Sequence, residues 1–379
     1  MPTREKPRRL LARAMTRRGN NGQRRVLRAA AVGLGWVCCQ RHLPIMDRST
    51  AYDVAGVIDR HPGRAREVAQ CRGYKNFAET DRLADVDWLA DVDVVVVGAA
   101  PMAHYDLVSQ ALALGKHVLT EKPFAMAVGE GEALADKARC LGLGLGIVHN
   151  FQFARSTRRL LDDMADGLIG ELRSVEGVQL GNPRRRLPTW YEQLPLGLFY
   201  DESPHLLYLV HKIVGDDLTL LRADCFADRQ GQTTPALIDI LYRAQGQNIP
   251  VTVRCNFDSP VSEWYLLVHG DRALGIVDLF RDIYVRLPND EAHTAATILR
   301  TSVNATWQHW SQHVPSGIGL MRGDLFYGTD EVFARFADGI AGQPDRMAPI
   351  GDAAALSVLR RQHEIIAQSK TYEADNGSA

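Results

Sequence analysis

Three side chains carry the means to move a proton and to hold a negatively charged oxygen: Lys122, Asp201 and His205. Lys122 comes near the end of Gly115-Lys116-His117-Val118-Leu119-Thr120-Glu121-Lys122-Pro123, a short apolar stretch that stops on an acid, a base and a proline. Asp201 and His205 stand four apart in a stretch that continues as Leu206-Leu207-Tyr208-Leu209-Val210, so on a helix they share one face. Oxidising an alcohol needs a base within hydrogen-bond reach of the hydroxyl, and a cation where the oxygen gains charge. His205 is the candidate base and Lys122 the candidate cation. Asp201 would hold the imidazole or contact a neighbouring hydroxyl. An isolated D-x-x-x-H pair is more simply a polar helix start with Asp201 as N-cap; the elements around Lys122 give it weight.

Those elements form a β-α-β unit. Asp93-Val94-Val95-Val96-Val97-Gly98 is too short and β-branched for a helix and too apolar for an exposed strand. A helical stretch from Pro101 to Leu114 then leads to the strand before Lys122. Such a parallel sheet is buried on both faces, and its ligands sit beyond the carboxyl ends of the strands. Upstream, Val26-Leu27-Arg28-Ala29-Ala30-Ala31-Val32 runs into Gly33-Leu34-Gly35-Trp36-Val37-Cys38, a G-x-G-x-x-G pattern with Cys38 in the third glycine's place. Gly33 permits the turn, and Gly35 lets backbone N–H groups, those of Trp36 and Val37, approach a pyrophosphate. The next strand, Val54 to Ile58, ends on Asp59, which can accept both adenosine ribose hydroxyls. Asp59 favours NAD, since a 2′-phosphate would face a carboxylate; Arg60 and Arg64 keep NADP open. The spacing from Gly33 exceeds the usual ~20 residues, so a longer helix or loop is expected between them. Ala100, Pro101, His104 and Glu121 are further candidates to line the cofactor, although His104 reads nearly as well as an exposed helix residue.

A chain of 379 residues exceeds what one core usually supports, so two domains are expected. The boundaries expected are a disordered basic arm over 1–25, a dinucleotide-binding domain over 26–150, a substrate and oligomerisation domain over 151–345, and a C-terminal helix and tail over 346–379. The formal charge of −1 gives no field to draw in nucleic acid or a membrane surface. Six scattered cysteines without a C-x-x-C pattern read as reduced thiols of a cytoplasmic protein. Residues 1 to 25 carry nine Arg or Lys against Glu5 alone. The pairs Arg8-Arg9 and Arg17-Arg18 lack the apolar region and cleavage site of an export signal.

The glycine turn, Asp59, Ala100-Pro101-x-x-His104, the run from Gly115 into Glu121-Lys122-Pro123, and Asn150 together resemble the Gfo/Idh/MocA family, the glucose–fructose oxidoreductase and inositol dehydrogenase superfamily. The likeness continues through Gly167-Leu168-Ile169-Gly170-Glu171 and Asp201-x-x-x-His205 to a terminal helix near Gly351 to Ser369. It implies an α/β protein: a Rossmann domain followed by an α/β domain with a large, open, mostly antiparallel sheet. The outer face of that sheet would make homodimers or homotetramers, and the last helix would pack back on the first domain. The resemblance also implies a cis Lys122–Pro123 bond and a substrate site that includes Asn150. Departures are Cys38, Ser203-Pro204 where a glycine-containing step often precedes the histidine, and Tyr208 where an aspartate is frequent.

In the second domain a helix is expected over Ser156 to Asp166 and a strand over Leu172 to Leu180. Alternating apolar segments at Ala236 to Tyr242, Pro250 to Phe257, Trp264 to His269 and Ala273 to Phe280 read as antiparallel strands. The loop Asn182 to Tyr191 carries Arg184, Arg185, Arg186, Trp190 and Tyr191, and reads either as a pocket wall, with Trp190 and Tyr191 against substrate, or as a solvated basic loop. His309 and His313 lack a third ligand, so no metal is expected. The reading is an NAD(P)-dependent oxidoreductase acting on a secondary hydroxyl or ketone of a sugar, amino sugar, sugar derivative or cyclitol. Two alternatives stand beside it: a glycoside hydrolase or epimerase that uses tightly bound NAD in transient oxidation, and a non-catalytic sugar or dinucleotide sensor.

Overall fold

The structure is a computed structural model and describes residues 25–228 and 231–373, so the basic arm expected over 1–25 lies, Arg25 apart, outside the described residues. Six parallel strands form the first sheet: β1 Leu27–Val32, β2 Tyr52–Ile58, β3 Asn76–Ala78, β4 Val94–Val97, β5 His117–Thr120 and β6 Leu145–Ile147. Their order is β3-β2-β1-β4-β5-β6. The chain reverses its direction of travel across the sheet between β1 and β4, which opens a crevice at their carboxyl ends.

The valines of β4 show why this strand is central. Val95 and Val97 enter one core with Ala30 and Val32 of β1, while Val94 and Val96 enter the opposite core with Ala29 and Ala31. Helices α1 Leu43–Arg48 and α2 Arg64–Arg72 cover the second of these faces. Helices α3 His104–Ala113 and α4 Val128–Leu141 cover the first. A strand buried on both faces must be apolar throughout, and this one is.

The second domain begins with α5 Arg155–Ala165, β7 Leu172–Leu180 and α6 Leu198–Val214, followed by β8 Leu218–Phe226, β9 Leu237–Ala244, β10 Ile249–Asn256, β11 Glu263–Gly270, β12 Ala273–Asp278 and β13 Ile283–Pro288. With β14 Lys370–Tyr372 these make an eight-stranded sheet in the order β13-β12-β11-β7-β10-β9-β8-β14. It is mostly antiparallel, with parallel pairs only at β7–β10 and β8–β14. The buried residues of β7, β9, β10 and β11 alternate along each strand and pack under α6 and α5, which leaves the other face half-exposed.

Four helices complete the chain: α7 Ala295–Arg322, α8 Thr329–Ile340, the short α9 Pro344–Met347 and α10 Asp352–Gln368. Chain order assigns α8 to the second domain, and the structure corrects this. Phe333 and Phe336 fill the first domain's core, and a Cβ at Gly146 of β6 would come within 2.7 Å of Phe336. Residues before 345 thus supply a cover for the parallel sheet. Strands β8 and β13 and the helical extent of α7 were also not foreseen. Among the described residues, no helix is long and apolar enough to cross a membrane, and no group of three or more His, Cys, Asp or Glu could hold a metal.

Candidate active site

Lys122 leaves the carboxyl end of β5, and its peptide bond to Pro123 is cis. Lys122 Nζ donates to Asp201 Oδ1 at 2.7 Å and to the Asp201 carbonyl oxygen at 2.9 Å. A lysine from the first sheet is thereby tied to the first turn of α6 in the second domain. Burial disfavours the ammonium, but the Asp201 and Glu121 carboxylates outweigh it and hold Lys122 above the ordinary lysine value. It remains a cation through the neutral range.

His205 follows one turn later on α6. The expected contact between Asp201 and the imidazole is not made, because Asp201 is occupied by Lys122; His205 Nδ1 instead lies 2.8 Å from Tyr208 Oη. The same oxygen accepts from the Phe151 N–H at 2.9 Å, with Asn150 Oδ1 3.4 Å away to take the hydroxyl hydrogen. That proton arrangement makes Nδ1–H the donor to Tyr208 and leaves Nε2 with its lone pair. Burial, then the neighbouring Lys122 and His149, hold His205 well below the ordinary histidine value, so the ring is neutral at pH 7. Tyr208, which takes the place of a frequent aspartate, thus supplies the imidazole's partner without adding a charge.

Pro204 sits inside α6 and lacks the N–H that would bond the Tyr200 carbonyl. Gln362 of α10 donates to that carbonyl at 2.6 Å and to Ser203 Oγ at 3.0 Å. The unusual Ser203-Pro204 step is therefore accommodated by the last helix, and α6 continues unbroken through His205.

Several residues expected at the cofactor or substrate are hydrogen-bonded within the protein. His104 is neither exposed nor open to a cofactor: its fully buried ring lies 2.7 Å from the Pro123 carbonyl oxygen and 3.1 Å from that of Ala99. It braces the loop bearing Lys122 against the loop carrying Ala100 and Pro101. Glu121 is turned inward, accepting from His42 Nε2 at 2.8 Å and from the Lys122 N–H at 3.1 Å. Asn150, expected against substrate, donates through Nδ2 to the Tyr327 carbonyl at 3.1 Å and faces Tyr208 with its oxygen. Its amide is spent on positioning Tyr208.

Trp190 packs on the first domain's core and Tyr191 on the second's, so the loop they share bridges the two. Arg185 of this loop bonds Glu202, which also accepts from Gln179. Burial, opposed by Arg185 and assisted by Asp201, pushes Glu202 up to about 7. His42 and Glu202 had no role in the sequence reading, and Arg185 entered it only as one charge of the basic loop. His42 and Glu121 lie 79 residues apart, and no spacing signals such a pair.

At the glycine turn, Gly33 has φ +82°, and a Cβ there would fall 2.6 Å from Ala99 Cα, so only glycine fits. A Cβ at Gly35 would have nothing nearer than the Gly98 carbonyl oxygen at 3.9 Å, so the space over the turn is open. Trp36 and Val37 are exposed at the start of the helical segment, which runs through a π-turn, Cys38–His42, into α1. Cys38 is fully buried against Gly98, where an added Cβ would lie 3.0 Å from the Cys38 Cβ. The close packing usually supplied by a third glycine is supplied from the end of β4 instead. Asp59, at the end of β2, accepts from the Leu34 N–H at 2.7 Å and the His61 N–H at 2.8 Å. Burial would raise its pKa, but these bonds, the His61 ring and Arg64 keep it below the usual carboxylate value. Arg60 is exposed beside it. An open turn rich in N–H groups, at the point where strand order reverses, with an ionised acid on the neighbouring strand, fits a dinucleotide.

A parallel nucleotide-binding sheet whose lysine reaches a histidine-bearing helix of a second, open sheet defines a two-domain dehydrogenase architecture. Residues 27–149 match the Gfo/Idh/MocA family model described as oxidoreductase family, NAD-binding Rossmann fold. Over 300 residues it is 26% identical to a putative UDP-kanosamine synthase oxidoreductase subunit of Amycolatopsis mediterranei, covering 72% of this chain and 80% of that protein. Over 150 residues it is 31% identical to the dTDP-3,4-didehydro-2,6-dideoxy-alpha-D-glucose 3-reductase of Actinomadura kijaniata, covering 39% of this chain and 44% of that one. The fold matches that of a 3-ketoreductase from Actinomadura kijaniata solved with NADP, with TM-score 0.70, 17% identity, and coverage of 92% of this chain and 100% of that one.

Proposed function

We propose that the protein transfers a hydride between NAD(P) and a secondary hydroxyl or ketone of a sugar, with His205 as the base, Lys122 as the cation at the reacting oxygen, and Asp201 as the anchor of Lys122. The observation that carries the reading is the meeting of Lys122, from one domain, with the helix that bears His205, from the other. When bound, the nicotinamide supplies the two-electron acceptor for the carbinol hydrogen. Gly33, Gly35, Trp36, Val37 and Asp59 would hold the dinucleotide, with Ala100 and Pro101 beside it.

The chain's own part is proton and charge handling. A neutral His205, with Nε2 free, takes the hydroxyl proton and becomes an imidazolium whose Nδ1–H is already directed at Tyr208 Oη. Lys122 stands as a fixed cation where the oxygen's charge develops, so the site need not reorganise as the proton leaves. In the reverse direction the imidazolium returns the proton to the forming alcohol.

The relatives' names, a 3-reductase for a dTDP-linked sugar and the oxidoreductase subunit of a UDP-kanosamine synthase, support a sugar carbon as the reacting centre. Within that class they favour a nucleotide-linked sugar over a cyclitol. We further propose NAD as the preferred cofactor, the half-exposed face of the second sheet as a homodimer or homotetramer contact, and the cytoplasm as the location; all six cysteines are free, as a reducing compartment requires.

The test is a reduced-nicotinamide absorbance assay over nucleotide-linked sugars, free sugars and cyclitols, with NAD and NADP separately and with product analysis. Net reduction with a ketosugar product supports the proposal. Product formation without net nicotinamide change favours the hydrolase or epimerase reading, and ligand binding without any product favours a sensor.

A further inference from the structure

Helix α7 has two unlike faces. On one, Gln312 donates to the Tyr284 carbonyl and accepts from the Tyr284 N–H, Gln308 does the same for Arg286, and Ser316 accepts from Arg155. The two glutamines pin the helix to β13, an edge of the second sheet, and Ser316 ties it to α5. The opposite face carries Leu299, Val303, Trp307, Trp310, Val314 and Ile318, between 41% and 72% exposed. Their spacing of three and four residues makes a continuous apolar seam along a helix of 28 residues. Among the described residues, no element covers it.

The order of the seam says what fits. Leu299 and Ile318, Val303 and Val314, and Trp307 and Trp310 are three pairs, each placed symmetrically about the helix midpoint between Gln308 and His309. A second copy of the same helix laid antiparallel sets leucine on isoleucine, valine on valine and indole on indole, twice over. An isologous two-fold contact needs this, since each residue's partner must return the contact. Antiparallel helices also oppose their dipoles, and the helix carries no carboxylate to disturb the pairing. The exposed seam amounts to on the order of 700 Å² of side-chain surface, close to the roughly 800 Å² that each partner buries in a stable complex.

We infer that α7 is a dimerisation helix that pairs antiparallel with α7 of a second copy, with the Trp307 and Trp310 indoles at the two-fold axis. This contact is separate from the sheet-face assembly proposed above and independent of the catalytic reading.

Sedimentation velocity of the full chain over a dilution series tests it, with Trp307→Glu/Trp310→Glu beside the unsubstituted protein. The double variant should drop by one association step while its circular dichroism and cofactor binding are retained. A second test reads the register. Under mild oxidation, Val303→Cys/Val314→Cys should give a covalent dimer, while either single substitution should not exceed the background of the unsubstituted protein, whose Cys71 and Cys140 are exposed. Unchanged association in the glutamate variant would overturn the proposal, as would cross-linking by the singles alone, the mark of a parallel seam. A protein that stays monomeric and instead floats with anionic phospholipid vesicles would assign the seam to a lipid surface and equally overturn it.

Discussion

Lys122 Nζ and Asp201 Oδ1 stand 2.7 Å apart, joining the end of a strand in the first sheet to the start of a helix on the second. Both side chains are largely withdrawn from water, at 14% exposure each, so the ammonium is held by one carboxylate in a place where it cannot be solvated freely. Removing Asp201 leaves that cation underpaired. Asp201→Asn should therefore lower the Lys122 pKa and bring the alkaline limb of the kcat profile toward neutrality, while Lys122→Met should cost ~10²–10³ in kcat, as loss of an oxyanion partner does. A kcat–pH series on both variants checks this; an unmoved alkaline limb in Asp201→Asn would separate the pair from the chemistry.

Tyr208 holds the imidazole by one hydrogen bond. Tyr208→Phe keeps the ring packing and removes that oxygen, so kcat should fall roughly five- to tenfold with cofactor affinity unchanged. Steady-state kinetics with a separate cofactor titration reads both. A change in cofactor affinity without a change in kcat would mean that Tyr208 serves only the fold.

Acid should destabilise the protein before it reaches the carboxylates. His205, His104 and His149 are all held below the ordinary histidine value, chiefly by burial, with His149 pushed down to about 3. Depressed in the folded state, these groups bind more protons when the chain is unfolded, so stability is present above the unfolded value near 6.5 and is lost as pH falls below it. Thermal unfolding midpoints should decline from pH 7 to pH 5. A flat profile over that window would show that the three rings are not buried as neutral groups.

Much of the first sheet was legible because burial on both faces forces Val94 to Val97 to be apolar throughout, and because Gly33 must be glycine. Lys122, Asp201 and His205 stood out through residue type, spacing and the family resemblance together, and the structure places Lys122 against Asp201, with His205 one turn further along α6. Their partners were less so. Tyr208 was noted as a departure, but its hydroxyl as the imidazole's partner depends on Phe151 and Asn150 arriving from another element. His104, Glu121 and Asn150 looked like ligand contacts because sequence shows chemical type and not direction; each points into the protein. Phe333 and Phe336 of α8 belong to a core whose strands lie some two hundred or more residues earlier, and periodicity cannot say which core an apolar helix face will join.

Asp59 should set cofactor preference. Its ionised carboxylate, ringed by the Leu34 and His61 N–H groups, would repel a 2′-phosphate, so NAD should bind at least about tenfold more tightly than NADP, a difference of ~1.4 kcal/mol. Asp59→Ala should narrow the gap. Fluorescence titration of both cofactors decides it, and equal affinities in the unsubstituted protein would assign the 2′ position to Arg60 and Arg64.

The central claim is that His205 takes the proton while the dinucleotide is held elsewhere. His205→Asn, assayed at saturating cofactor with a substrate the unsubstituted enzyme turns over, measures it most directly. The account predicts a loss of ~10²–10⁴ in kcat with the cofactor dissociation constant unchanged. Near-normal kcat in that variant would contradict it and place the base on another side chain.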